Sequence, residues 1–253
     1  MFVAKLDAAG NHLWSKRFGD TDRQDTRGVA VDAAGNVFVT GGISGGPIDF
    51  GGGTLAAIGD GDAFLLSLDA GGAHQWSKRW GRANVYVGSS AVTVDAAGNV
   101  IVAGFAQGDT NLGTGQLPYK GGLDVVVGKF SAAGTPLFAH SYGTPTNDAA
   151  SAVATDGAGN ILLTGYTEGA IDFGNGPIPH VGRGTFITRL TPSGAPLPGA
   201  IATGTSALGR GIAADAQGNI FTAGYFTGSI TLGGLPLTSA SFGEEVYVAK
   251  IAP

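Results

Sequence analysis

The chain has 253 residues, a net charge of −5 and no cysteine. That excludes disulfides and thiolate metal sites, and it removes the basic face a nucleic-acid binder needs. Apolar residues make up 43% and charged residues 13%, the reverse of the balance that keeps a chain unfolded.

Residues 2–8 (FVAKLDA) alternate and predict a strand, and residues 12–18 (HLWSKRF) predict a second after a turn at Ala9-Gly10-Asn11. A polar loop, GDTDRQDT (19–26), leads to a strand over Gly28–Val31. A DAAGN turn and a strand over Val37–Thr40 follow, then a Gly-rich connection from Gly41 to Gly61 holding the short unit IDFGGGTL (48–55). No window of 11–18 residues carries a helical period. No run approaches the ~20 apolar residues of a membrane helix, so no membrane insertion is expected. Met1 leads directly into a strand with no export signal before it, so either a signal has been removed or the chain is a fragment.

The pattern then recurs. RGVAVDAAGNVFVTGG (27–42) returns as SAVTVDAAGNVIVAGF (90–105), SAVATDGAGNILLTGY (151–166) and RGIAADAQGNIFTAGY (210–225). The turn aspartates Asp32, Asp95, Asp156 and Asp215 are spaced by 63, 61 and 59 residues (95−32, 156−95, 215−156). A repeat of this length fixes the architecture before any local reading. Calling the two strands of that repeat A and B, a third strand C recurs at 63–69, 125–131, 185–191 and 246–252. A fourth strand D recurs at 74–80 and 136–142, with a degraded copy, PLPGAIA, at 196–202. The insert returns as TNLGTGQL (110–117), IDFGNGPI (171–178) and ITLGGLPL (230–237). In the Asp-x-x-Gly-Asn turns, Asp caps the turn with its own side chain and Gly supplies positive φ.

Four antiparallel strands repeated in tandem predict a single all-β domain over 1–253. It is a β-propeller of four repeats of about 60 residues, with units near 27–80, 90–142, 151–202 and 210–252 plus 2–18. Strand A, with the smallest residues, is expected innermost. Strand D, with Trp14, Phe18, Trp76, Trp80, Phe138 and Tyr142, is expected outermost. Those aromatics read as packing between blades; a sugar-stacking platform is the alternative. Unit IV lacks a D strand and the N-terminal D (12–18) is expected to supply it, closing the ends. The surplus C strand at 2–7 is left over, either displacing the C-terminal copy or pairing elsewhere, including with another chain.

The string FVAKLDAAGNHLWSKRFG, followed by GVAVDAAGNVFVTG and IDFGGG, resembles the bacterial beta-propeller repeat family SBBP. The resemblance covers nearly the full length and is weakest in unit IV. It implies a propeller in exported or surface-attached bacterial proteins, and it implies no reaction and no catalytic set.

The A–B and C–D turns share one face and are near-identical. The B–C and D–A connections share the other and vary: 19–26, 81–89, 143–150 and 204–208. Variable loops on a rigid frame are where binding concentrates. Asp20, Asp22 and Asp25, with Asp60 and Asp62 as possible additions, form an oxygen-rich cluster. A solvated acidic loop is the reading kept, with a Ca²⁺ site as the alternative. Arg27 and Arg210 open two A strands where Ser90 and Ser151 open the others. They either bind an anion or sugar acid at the channel mouth or pair with acids such as Asp25, and pairing is the expectation. Tyr86 is the best-placed exposed aromatic. His180, in the third insert near Arg183, reads as a solvated loop histidine. Gly42-Ile43-Ser44-Gly45-Gly46 matches a nucleophile elbow only formally, because no helix follows.

These features predict a non-catalytic scaffold, extracellular or at the cell surface, that meets a protein partner through its variable-loop face. A lectin-like carbohydrate-binding propeller is the alternative. A propeller-face lyase or hydrolase comes third, and would require His180, Arg210 and the Asp20–Asp25 loop to converge. No cofactor is expected. A monomer is expected, with a strand-exchanged dimer as the alternative.

Overall fold

The computed structural model describes residues 1–19, 22–59, 61–180, 182–240 and 243–252. Among them there is no helix, and every paired strand of the sheets is antiparallel. The chain opens with a hairpin, β1 (Phe2–Leu6) and β2 (His12–Arg17). Unit I follows as β3 (Arg23–Val31), β4 (Val37–Ser44), the insert strands β5 (Ile48–Asp49) and β6 (Thr54–Leu55), then β7 (Asp62–Leu68) and β8 (His74–Trp80). Unit II repeats this with β9 (Val87–Val94), β10 (Val100–Ala106), β11 (Thr110–Asn111), β12 (Gln116–Leu117), β13 (Asp124–Phe130) and β14 (Pro136–Tyr142). Unit III has β15 (Asp148–Thr155), β16 (Ile161–Thr167) and β17 (Gly184–Leu190). Then β18 (Pro196–Ala214), β19 (Ile220–Leu232), β20 (Leu235–Thr238) and β21 (Glu245–Ile251) complete the chain.

Units I and II are four-stranded sheets in the order A-B-C-D, β3-β4-β7-β8 and β9-β10-β13-β14. The A strands β3, β9, β15 and β18 contact one another from unit to unit, which makes them the inner row. The C strands of units I and II are covered on both faces, so β7 and β13 are buried at every residue. Phe64, Leu66 and Leu68 face back towards the N-terminal hairpin, whereas Ala63 and Leu65 face unit II. The same split recurs at Val126 and Phe130 against Val125 and Val127.

All four A–B turns are closed as the pattern predicts. In the first, Asp32 Oδ1 accepts from the backbone N–H of Ala34 (2.9 Å) and Asn36 (2.8 Å), and the Asn36 amide donates to Oδ2 at 2.7 Å. Asp95, Asp156 and Asp215 repeat this. With the Gly35 N–H donating to the Asp32 carbonyl, the turn satisfies the N–H groups of Ala34, Gly35 and Asn36 internally.

Four expectations are corrected. First, the inserts are not free loops. Ile48 and Phe50 lie in the core with Phe64, the Phe50 and Phe64 rings 5.0 Å apart. Leu112 and Leu117, Ile171 and Phe173, and Ile230 and Leu232 do the same in the other units. Alternating apolar residues on a short hairpin bury one face wherever a core edge is open. Second, the expected loop 204–208 is strand: β18 runs unbroken from D of unit III into A of unit IV, paired with β17 and then with an extended β19. The degraded PLPGAIA segment still forms D, since main-chain pairing does not need the aromatics. Third, β2 does not complete unit IV. It pairs with β1 alone, and β21 pairs with β19 alone. Fourth, the surplus C strand β1 has a place: Val3, Trp14 and Phe18 pack the hairpin against unit I, where it stands as the C–D half of a preceding blade. Trp14 Nε1 donates to the Ala70 carbonyl at 3.1 Å and Lys5 Nζ to the same oxygen at 3.0 Å.

Candidate functional site on the variable-loop face

Each inner strand carries a β-bulge at the same repeat position, and the long β18 carries a second between Gly204 and Ser206. Thr26 pairs with Gly41 and Gly28 with Thr40, leaving Arg27 unpaired between them. Ser90, Ser151 and Arg210 are skipped in the same way. A bulge bends the strand and re-aims its extra side chain. It also explains the glycine that recurs in each B strand. A Cβ on Gly41, Gly104, Gly165 or Gly224 would lie 2.0 Å from a carbonyl oxygen of the bulged strand. The row Arg27, Ser90, Ser151, Arg210 thus lies along the inner strands, in the half that leads in from the variable loops.

Aromatic rings accompany the arginines. Arg27 Nη2 lies 3.2 Å from Asp25 Oδ2 and donates to Tyr86 Oη at 3.5 Å. Tyr86 is half-buried, not the exposed aromatic expected, with its ring 5.4 Å from that of Phe105. Arg210 lies 5.4 Å from the Tyr225 ring centre and donates to its hydroxyl at 3.4 Å. Arg183 sits 4.1 Å over the Tyr166 ring, with Nε 3.9 Å from Glu168 Oε1. Cation–π contact of this kind holds a guanidinium in place while leaving donors free. Burial alone would lower the Arg27 pKa, but Asp25 and the Tyr86 phenol outweigh it and raise it, so the cation is permanent. Phe105, Tyr166 and Tyr225 end three of the four 16-residue repeats. That aromatic position was readable as a pattern, but nothing in a linear sequence shows it beside the bulge residue.

The other predicted residues sort as follows. Asp20 and Asp60 lie outside the described residues. Asp22 is exposed and packs near Gly45. Asp25 accepts from the Gly42 N–H at 2.9 Å and pairs with Arg27, so it serves the bulge. Asp62 is not part of the acidic loop: it is fully buried and takes Arg79 at 2.7 Å with the N–H groups of Ile58 and Gly59. A fully desolvated carboxylate needs that cation and those donors. His180 is half-buried, not a solvated loop residue. Its ring fills the space where a side chain on Gly184 would stand, with Nε2 2.4 Å from that Cβ position. Burial lowers its pKa, keeping it neutral at pH 7. Among the described residues, no hydrogen bond or ion pair joins His180 to Arg210 or to the Asp22–Asp25 segment. No three His, Asp or Glu side chains there form a group able to hold a metal ion, and no helix is long and apolar enough to cross a membrane.

Comparison with known proteins agrees with the repeat. The beta-propeller repeat family (SBBP) matches residues 13–49, the segment from β2 to β5, the first strand of the insert. The regulatory protein FlaEY of Caulobacter vibrioides is 26% identical over 163 residues, 62% of this chain. The chain spans only 17% of the length of that relative. A solved structure of a Bacteroides caccae protein of unknown function covers 96% of this chain and 66% of its own. Its TM-score is 0.45 and its identity 10%.

Proposed function

We propose that the chain is a non-catalytic β-propeller scaffold of four repeat units, acting outside the cell or at its surface, that grips a protein partner through its variable-loop face. The observation that carries this reading is the asymmetry of the two faces. On one, the Asp–Asn turns commit the Asp carboxylate and the N–H groups of the following residues to closing themselves. On the other, Arg27, Arg183 and Arg210 stand beside Tyr86, Tyr166 and Tyr225. Arg and Tyr on a rigid frame are the side chains that dominate protein recognition energetics. No nucleophile–base pair is part of the reading, and neither is a metal.

The same Arg–aromatic pairs favour a second reading, a carbohydrate-binding propeller for an acidic sugar, because a ring stacks a sugar face and a guanidinium holds its carboxylate.

The test compares the two faces. Labelled protein is bound to the cells that produce it, with Arg183→Ala/Arg210→Ala on the loop face and Ala33→Lys/Ala96→Lys on the turn face. Binding weakened at least about tenfold by the first pair, about 1.4 kcal/mol, and kept by the second supports the reading. The opposite pattern sinks it. Saturable binding on a glycan array, lost in Tyr166→Ala, selects the carbohydrate version.

A further inference from the structure

The two ends of the chain are halves of one blade. Among the described residues, unit IV has A, B and C as β18, β19 and β21, and no strand pairs the outer edge of β21. Among the same residues, the N-terminal hairpin has C and D as β1 and β2, and β2 is the strand that pairs β1. β1 reads Val3-Ala4-Lys5-Leu6 and β21 reads Val248-Ala249-Lys250-Ile251, so the two C strands share Val-Ala-Lys and follow it with a branched apolar residue.

The exposed apolar residues cluster at these two ends. Phe2 is 74% and Leu6 56% exposed on β1, and Val29 is 63% and Val31 58% exposed on β3 beside it. Their counterparts elsewhere are covered: Val92 and Val153, equivalent to Val29, are 8% and 9% exposed. Between β1 and β3 lies an open groove of about 290 Å³ lined by Phe2, Ala4, Arg27 and Val29. The A and B strands of a preceding blade would lie there. At the other end, Tyr247, Ala249 and Ile251 face the core between units III and IV. These are the positions that Phe2, Ala4 and Leu6 hold on β1.

We propose that the N-terminal hairpin pairs with β19 of a second copy of the chain, taking the slot that β21 holds. The completed blade then has β18 and β19 from one copy and β1 and β2 from the other. Phe2 and Leu6 enter the core in place of Tyr247 and Ile251. The incoming β18 and β19 cover Val29 and Val31 and fill the groove, which extends the core that already packs the hairpin on unit I. The missing D strand is supplied by β2. Head-to-tail exchange of this kind closes a ring or extends a filament, and two copies of four units give a ring within the blade numbers propellers use. This inference is independent of the ligand reading above.

Register makes it testable. β19 pairs Phe221 with Lys250, so after exchange Phe221 faces Lys5. The chain has no cysteine of its own. One preparation carries Lys5→Cys, a second Phe221→Cys, and the two are mixed under mild oxidation, with each alone as control. A disulfide-linked heterodimer whose bridging peptide contains positions 5 and 221 is expected. Removing residues 245–252 from the Phe221→Cys partner empties the slot and is expected to raise the yield severalfold. Absence of the 5–221 link in both the full and the shortened partner overturns the proposal. So does a double variant, Lys5→Cys/Phe221→Cys, that links only within one chain at 25.1 kDa, since that is closure in cis. A yield that is unchanged or falls on removing 245–252 also overturns it, because β21 is then not the competitor.

Discussion

Replacing the bulge glycine Gly165 by Ala tests the geometry of the inner strand through the sign of the effect. A strand glycine replaced by Ala ordinarily gains about 0.4–1 kcal/mol, because the unfolded chain loses freedom. At Gly165 the added Cβ would lie 2.0 Å from the Ala149 carbonyl oxygen and 2.9 Å from Ala150 Cα. Both are backbone atoms of the paired strand and cannot swing aside. Ordinary carbon–oxygen contact needs roughly 3.3 Å, so β15 and β16 must part by more than an ångström at the bulge. Overpacking of this kind costs about 1–3 kcal/mol. Each ladder hydrogen bond weakened with it adds about 0.5–1.5 kcal/mol. The total is about 2–4 kcal/mol, or a fall in Tm of about 4–15 °C for a chain of this length. Gly157→Ala is the control. Its Cβ would meet nothing within 4 Å, and the matching turns carry Ala33, Ala96 and Ala216. It is expected to gain about 0.4–1 kcal/mol. Thermal and urea unfolding followed by circular dichroism read both. A Gly165→Ala protein as stable as the parent would refute the bulge at Ser151.

Phe50→Ala removes a ring that is 1% exposed and packed on Phe18 and Phe64. A loss of about 3–5 kcal/mol is expected, whereas an insert that was a free loop would lose almost nothing. Asp156→Ala deletes the acceptor of three donors in one turn and is expected to cost about 1–2 kcal/mol by urea titration. Asp124 is the counterpart of Asp62 but lacks its arginine, because Ser141 stands where unit I has Arg79. Burial, with Asp148 nearby, raises its pKa. The folded state therefore holds that proton more tightly than the unfolded chain. Its stabilising effect is full below the ordinary carboxylate range and is lost as pH rises through the raised value. Ser141→Arg supplies the missing cation. It is expected to add about 1–3 kcal/mol at neutral pH and to flatten stability against pH in that window. Equal gains at pH 4 and pH 7 would show that Asp124 is not the partner.

Asp95 behaves in the opposite sense. Burial alone would raise its pKa, but the Asn99 amide and Lys129 outweigh it and hold it low. Its stabilising effect is present at neutral pH and is lost as pH falls through that lowered value. Replacing Lys129 with Met is expected to shift acid unfolding to higher pH, measured by acid titration of the circular-dichroism signal.

The strands, their turns and their order into A-B-C-D units were legible in the chain alone, because each rests on local chemistry. Alternation selects strand, Asp with Asn closes the turn, and a 60-residue recurrence fixes the unit. The small residues of strand A marked the inner row for the same reason. Arg27 and Arg210 were singled out as openers of A strands with pairing to acids such as Asp25 expected, yet what makes their position special is the skipped pairing beside Gly41 and Gly224. Register between strands is a relation between distant segments, and no single segment carries it. The partners of Asp62 and His180 were hidden likewise, since Arg79 and the empty place at Gly184 reach them only through the fold. The ends show the division most plainly. The C strands at 2–6 and 245–251 share Val-Ala-Lys followed by an apolar residue, so the sequence offers two candidates for one slot and only the fold separates them. Val3, Trp14 and Phe18 pack the hairpin on unit I, and among the described residues no strand of unit IV pairs with it, which is a relation between distant segments that only the tertiary structure decides.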